Sequence, residues 1–305
     1  MVENIRFAFR GIKTHKMRSF LTMLGVIIGI ASIIAIVSIV EGTSQQLQSS
    51  LVGAGNNVLS VDLSQNGYQY DLSYNALPSG VPMVSEDALT SIRSLEHVQG
   101  ASAYCTRQDY NMVYYQNQGM GYGNVYGVGK GYFDTLQYQV LDGRGFSEEE
   151  YDSFDKVAVV DKTAAENLFG NAEPVGQIIE IKGEPYVVIG VVGETDAEDK
   201  EYESITEYYM YGWGNYGTVY ISKSTWPIVF QFDEPENVAI RTDTTDAMAE
   251  VGNAAAEILN QQVSSMDVQY AYLNAASDAE ELGMLTTAIQ LMLVGIASLS
   301  LLVGG

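Results

Sequence analysis

The sequence predicts an α+β protein in which transmembrane helices bracket an extracytoplasmic α/β domain of two lobes. Three observations carry this. Ser19–Val40 is a run of 22 residues with no charge and no proline. As a helix rising ~1.5 Å per residue it spans about 33 Å, enough for a hydrocarbon core of ~30 Å. A second uncharged run, Leu282–Gly305, lies at the other end. Between them, strand-like and helix-like stretches alternate over about 240 residues, room for a core divided into two lobes.

The N-terminal segment, residues 1–18, places Ile5, Ala8, Phe9 and Ile12 on one helical face and Arg6, Arg10 and Lys13 on another. That spacing predicts an amphipathic helix on the inner membrane surface. Arg6, Arg10, Lys13, Lys16 and Arg18 stand against Glu3 alone. Basic flanks stay in the cytoplasm, so the first span at 19–40 starts inside and delivers the chain beyond Val40 to the outside. Its length and the lack of a small-x-small site before Glu41 argue against a cleaved signal peptide. Gly25 and Gly29 form a GxxxG pair, a candidate helix–helix contact.

Residues 41–55 are polar and helix-compatible, a stalk continuing the span. The extracytoplasmic core is expected over 56–280. Asn57–Leu63 alternates like a strand, and Gln65–Gly80 reads as a loop. Ser85 opens a helix with Glu86 and Asp87 in its first turn and Ala88, Ile92 and Leu95 on one face. Residues 98–130 read as strands broken by glycine. Lys156–Gly170 reads as a strand, an Asp161 N-cap and a short helix ending at Gly170. Gln177–Val192 is a hairpin turning at Lys182-Gly183-Glu184. Residues 193–216 are acidic, then rich in Tyr and Gly. Val219–Ser222 and Asn237–Arg241 are strand-like, and Thr244–Gln262 is a helix with Met248, Val251, Ala255 and Ile258 on one face. The second span starts at 281 and has no polar flank on its far side, so the natural protein is expected to continue.

Charge divides with the compartments. The formal charge is −23, yet residues 1–40 carry five Lys/Arg and one Glu, leaving ten Lys/Arg against 37 Asp/Glu in the rest. The basic end suits an anionic inner leaflet. The acidic part would repel phosphates and argues against nucleic acid. Cys105 is the only cysteine, which excludes an internal disulfide and a Cys-based zinc cluster.

No residue set supports catalysis, a bound cofactor or a metal. A phosphate-cradling loop needs G-x-x-x-x-G-K-[ST], but Gly129-Lys130 is followed by Gly131 and preceded by Asn124 at the first-glycine position. Gly121, Gly123 and Gly127 are spaced one residue too far for a dinucleotide fingerprint. His97 stands apart from any G-x-S-x-G serine. The acidic runs Glu148–Asp152 and Glu194–Glu201 fit no EF-hand loop and read as solvated loops. Tyr208, Tyr209, Tyr211 and Tyr216 cluster with Trp213, a candidate partner or substrate surface, because tyrosine and tryptophan offer rigid amphipathic contact area.

Three stretches carry a family resemblance. They are ENIRFAFRGIKTHKMRSFLTMLGVIIGIASIIAIVSIVEG, the pair YGVGKGYFDTLQYQVLDGRGFSEEE and VAVVDKTAAENLFGNAEPVGQIIEIKGEPYVVIGVV, and LTTAIQLMLVGIASLSLLVGG. In this order, over nearly the whole chain, the sequence resembles the MacB-type (FtsX-like) permeases of ABC transporters. The resemblance implies a porter-like lobe with a second lobe inserted at about 105–217, residues 56–104 and 218–280 closing the first. It implies a multi-pass protein of the cytoplasmic membrane and an exporter subunit working by mechanotransmission on peptide, antibiotic or lipid-like substrates. It also implies a separate ABC ATPase subunit holding ATP and Mg, a second permease copy, a membrane-fusion adaptor and the lipid bilayer as partners. Two other readings stay open: a signalling subunit that activates a cell-wall hydrolase, and a membrane-anchored extracellular binding protein without an ATPase.

Overall fold

A computed structural model of the chain describes residues 57–194 and 216–273, together with residues 16, 17 and 20. The chain divides into two compact units, Met1–Gly55 with Asn274–Gly305 and Asn56–Leu273, and all described strands lie in the second. Apart from Phe20, the expected spans fall outside the described residues, as do the stalk and most of 193–216. Among the described residues no helix is long and apolar enough to cross a membrane.

Local chemistry sets most element ends. Strand β1 (Val58–Gln65) turns back through Asn66 and Gly67, both at positive φ, into β2 (Tyr68–Gln69). Asn-Gly suits such a two-residue turn, so the stretch expected as a loop begins as a hairpin. Helix α1 (Glu86–Arg93) is capped by Ser85, whose hydroxyl accepts from the Ala88 N–H at 3.2 Å. It buries Ala88, Leu89 and Ile92. Strands β3 (Val98–Gln108), β4 (Val113–Tyr115), β5 (Gln118–Gly119) and β6 (Asn124–Val128) come next. Helix α2 (Tyr132–Leu136) is held between Gly131 and Gln137, both left-handed, and leads into β7 (Tyr138–Gly143).

After β8 (Val157–Asp161), the Asp161 carboxylate accepts from the Ala164 N–H at 2.6 Å and caps α3 (Lys162–Phe169). It also accepts from the Thr218 N–H at 2.8 Å, and burial pushes its pKa up to about 6. Strands β9 (Ile178–Ile181) and β10 (Glu184–Glu194) form the expected hairpin, with Lys182 and Gly183 at positive φ. Strand β11 (Thr218–Ser222), a 3₁₀ turn at Lys223–Thr225, α4 (Trp226–Val229), β12 (Asn237–Thr242), α5 (Met248–Asn260) and β13 (Gln269–Ala271) complete the described chain.

The described strands form one sheet in the order β13-β1-β12-β3-β6-β11-β8-β10-β9-β4-β5, with β2 on β1 and β7 on β10. In the first four, each strand is antiparallel to its neighbour. With α1 linking β1 to β3 and α5 linking β12 to β13, they make a split βαβ unit. Residues 109–222 are carried between its second and third strands. There β11 runs parallel to β6, β8 parallel to β10, and the other pairs are antiparallel. The expected bounds of the insertion shift accordingly. Strand β3 pairs with β12 up to Tyr104 and with β6 from Tyr104 to Gln108. Strand β11, expected in the first lobe, pairs with β6 and β8 and belongs to the inserted strands.

Two cores cover the inserted lobe. One gathers Val125, Ala158, Val160, Val188, Ile221 and Trp226 under α3, and the other gathers Tyr104, Val128, Tyr132, Val159, Ile189 and Tyr220. In β10, Val188 and Val191 face the first core while Ile189 and Val192 face the second. The parity changes because the β8–β10 register shifts between Val188 and Gly190. A Cβ on Gly190 would strike the Arg144 carbonyl, so this bulge requires glycine.

One expected solvated loop has a buried member. Glu150 takes a bidentate pair from Arg144, both bonds 2.7 Å, and accepts the Ser147 N–H at 2.8 Å. Arg144 holds its carboxyl down at about 2. Glu148 and Asp152 remain mostly exposed, as expected.

Candidate functional site

The chain leaves the split unit along β3 and returns through the segment between β11 and β12. Charged side chains on these two crossings meet. Arg107, near the end of β3, reaches Glu234 on the return segment at 2.8 Å. Glu234 also accepts from the Trp226 indole N–H at 2.9 Å and from the Gln231 N–H at 3.2 Å. Trp226 stacks on Phe230, with ring centroids 4.1 Å apart. Gly127 makes room for the indole, since a Cβ there would lie 2.5 Å from Trp226 Cε3. One glycine of the misspaced G-x-G-x-x-x-G stretch therefore has a packing role.

Glu236, fully buried, ties three parts of the domain together. Its carboxylate pairs with Lys223 at 2.7 Å and accepts the Val84 N–H, just before α1, at 2.9 Å. Its backbone carbonyl accepts from the Tyr270 hydroxyl of β13 at 2.9 Å. A buried carboxylate is tolerated only with such partners, and removing one leaves an uncompensated charge.

Beside these pairs a cleft of about 460 Å³ opens between α1 and the return segment. Trp226, Cys105, Glu234 and Glu236 lie among its lining, with Met83, Leu89 and Pro227 as apolar walls. Phe154 and Phe232 line it too, although they are 72% and 73% exposed. Two ion pairs flank it, Lys130–Asp152 at 2.8 Å and Arg93–Glu86 at 3.4 Å. Cys105 is buried, and burial pushes its thiol pKa well up, with Glu236 and Glu234 adding to the effect. A protonated thiol is a poor nucleophile. A smaller polar hollow of about 140 Å³ lies beside Asp62, Asp71 and Tyr126.

Of the residues singled out in the sequence, Gly25, Gly29, Tyr208, Tyr209, Tyr211 and Trp213 lie outside the described residues. Tyr216 is half-buried, with its ring 6.4 Å from that of Tyr122, and its carbonyl accepts from Asn167. It is not among the cleft residues. His97 pairs with Asp243 at 3.0 Å at the surface. Among the described residues no group of three or more His, Cys, Asp or Glu is placed to hold a metal. Arg107, Lys223, Glu234, Glu236, Phe154 and Phe232 were not anticipated. The available signal was a pair of glutamates, Glu234 and Glu236, directly before an apolar strand.

The topology defines a class: an α/β domain in which a split βαβ unit carries a second lobe between its strands. Residues 19–258 match the family model of the MacB-like periplasmic core domain, and the chain belongs to that family. Its relatives are ABC transporter permeases. The uncharacterized ABC transporter permease YvrN of Bacillus subtilis (strain 168) is 35% identical over 311 residues, covering 99% of this chain and 72% of that protein. The macrolide export ATP-binding/permease protein MacB of Aggregatibacter actinomycetemcomitans is 26% identical, covering 100% of this chain and 44% of that one. The chain thus spans less than half the length of that MacB relative. The crystal structure of the periplasmic region of MacB from Actinobacillus actinomycetemcomitans matches with a TM-score of 0.53 at 18% identity, over 77% of this chain and 98% of that one. At that identity the likeness concerns the fold alone.

Proposed function

We propose that this chain is the non-catalytic, membrane-spanning permease subunit of an ATP-driven exporter. In this reading, ATP hydrolysis on a separate ATPase moves the spans, and the stalk carries that motion to the extracytoplasmic domain. The ATPase holds ATP and Mg, a second copy of this chain completes the transporter, and an adaptor receives the substrate.

The observation that carries the reading is the pairing of β1 with β13. Asp62 faces Ala271 and Ser64 faces Gln269, antiparallel, so the chain enters β1 and leaves β13 at the same end of the sheet. A domain hung by adjacent ends suits two neighbouring spans. Motion imposed on one end has to involve contacts that differ between two states.

The test uses the protein reconstituted in lipid with its ATPase, with single cysteines placed along Glu41–Gly55 in a Cys105→Ser background. Crosslinks between stalks of two copies should change when ATP is added. A pattern indifferent to nucleotide overturns mechanotransmission. Failure to recover any ATPase with the chain favours the anchored binding protein.

A further inference from the structure

We infer that the cleft between α1 and the return segment is a ligand site, and that it takes a small cationic amphiphile: an aromatic or branched apolar body bearing an amine or guanidinium group. The inference stands on the cleft itself and not on the export reading; a chain that failed to couple to ATP would still bind.

The first argument is the lining. At about 460 Å³ the cleft falls in the size range of small-molecule sites, ~300–1,000 Å³. Phe154 and Phe232 are separated by 78 positions in sequence, yet the fold brings both to one cleft with their rings left open to solvent. Singly exposed apolar residues are ordinary, whereas a converging set marks a contact site. Met83 and Leu89 add apolar wall, and Trp226 adds the floor.

Charge selects the ligand. The two inner carboxylates are already neutralised, Glu234 by Arg107 and Glu236 by Lys223. The charges reaching furthest into solvent are Glu86 and Asp152, with side chains 79% and 74% exposed. Their partners Arg93 and Lys130 are 40% and 48% exposed. A ligand therefore meets carboxylates first, within a part of the chain that carries a large negative excess. The open aromatic faces of Phe154 and Phe232 also attract cations. An anion of the same shape would be repelled at the mouth and find the inner cations occupied.

The full chain in lipid nanodiscs is titrated with dansylcadaverine, a naphthalene carrying an amine, and in parallel with 1-anilinonaphthalene-8-sulfonate, a similar body carrying an anion. Emission of each probe is referred to a Phe154→Ala/Phe232→Ala variant in the same discs, which removes the signal from lipid. The cationic probe should show binding that the variant weakens, and the anionic one should not. The double variant should bind about tenfold more weakly. Glu86→Gln with Asp152→Asn should shrink the preference for the cation while leaving the far-UV spectrum unchanged. Equal binding by the double variant, or equal effects of the two probes, overturns the inference.

Discussion

The split βαβ unit and the lobe it carries bury their strands differently. In β1, Leu59, Val61 and Leu63 are buried, while Ser60 and Asp62 on the other face bond to each other at 2.7 Å and to Tyr104. One face is apolar and the other is a polar network. In β8, Ala158, Val159 and Val160 are all fully buried, and in β11 Val219, Tyr220 and Ile221 are buried in succession. These two strands lie between β6 and β10 with a core on each face. Strands covered on both faces lose the alternation of a half-buried strand. The inserted lobe is thus held by two cores, the second of which reaches the split unit through Tyr104 and Ala239. Its connection to the split unit also carries charge: Arg107–Glu234 links the two crossings, and Lys223–Glu236 joins the two ends of the return segment. Apolar packing tolerates small slides of one surface on another. A buried ion pair with defined hydrogen-bond partners does not, so the joint fixes an angle that the cores alone would leave loose.

The largest effect is expected at that joint. Glu236→Ala strands Lys223 and leaves the Val84 N–H unpaired, at a cost of about 3–5 kcal/mol by urea unfolding of the full chain. A loss below about 1 kcal/mol would mean that the pair does not hold the joint. The next test addresses the doubly covered strands. Val159→Thr keeps the shape but puts a hydroxyl against the aromatic core, and should cost about 1–3 kcal/mol. Val58→Thr, on a half-buried position of β1, should change stability by less than about 0.5 kcal/mol. Equal costs would erase the distinction between the two regions.

The smallest effect is a slope in pH. Burial raises the Asp161 pKa from 3.8 to about 6 in the folded state. Between these values the folded chain binds more protons than the unfolded chain, so this group lowers stability as pH rises through that window. Solvent access limits the change to on the order of 1–2 kcal/mol. Asp161→Asn should flatten the thermal-melting profile there, and an unchanged slope would assign it to other groups. Glu150 has the opposite sign: its contribution is present above the ordinary carboxylate range and is lost as pH falls toward 2.

Elements set by neighbouring residues were legible in the sequence. The Ser85 and Asp161 caps, the stop at Gly170 and the turn at Lys182-Gly183 each depend on a few consecutive positions, and the chain adopts them. The Asn66-Gly67 turn was equally local but lay among polar residues with no apolar alternation beyond it. Helix α2 has only five residues and no period to read. The place of β11 depends on its pairing with β6, some 90 positions away, and nothing in VYIS announces that partner. The cleft was hidden for the same reason. Arg107 and Glu234, or Phe154 and Phe232, are ordinary surface residues in sequence and become a site only through strand order. The tyrosine-rich stretch drew attention by composition, yet Tyr216, its one described member, packs away from the cleft.

The β1–β13 pair also sets how this domain would answer force applied at its two chain ends. Three residue pairs join the strands, Asp62–Ala271, Leu63–Tyr270 and Ser64–Gln269, and both chain ends leave from one side of them. Pulling or pushing the two ends together puts no tension across those bonds. Drawing the ends apart loads them one after another, as a zipper opens, and three rungs offer little resistance in that direction. The strand pair is stiff to motion that the two ends share and soft to motion that separates them.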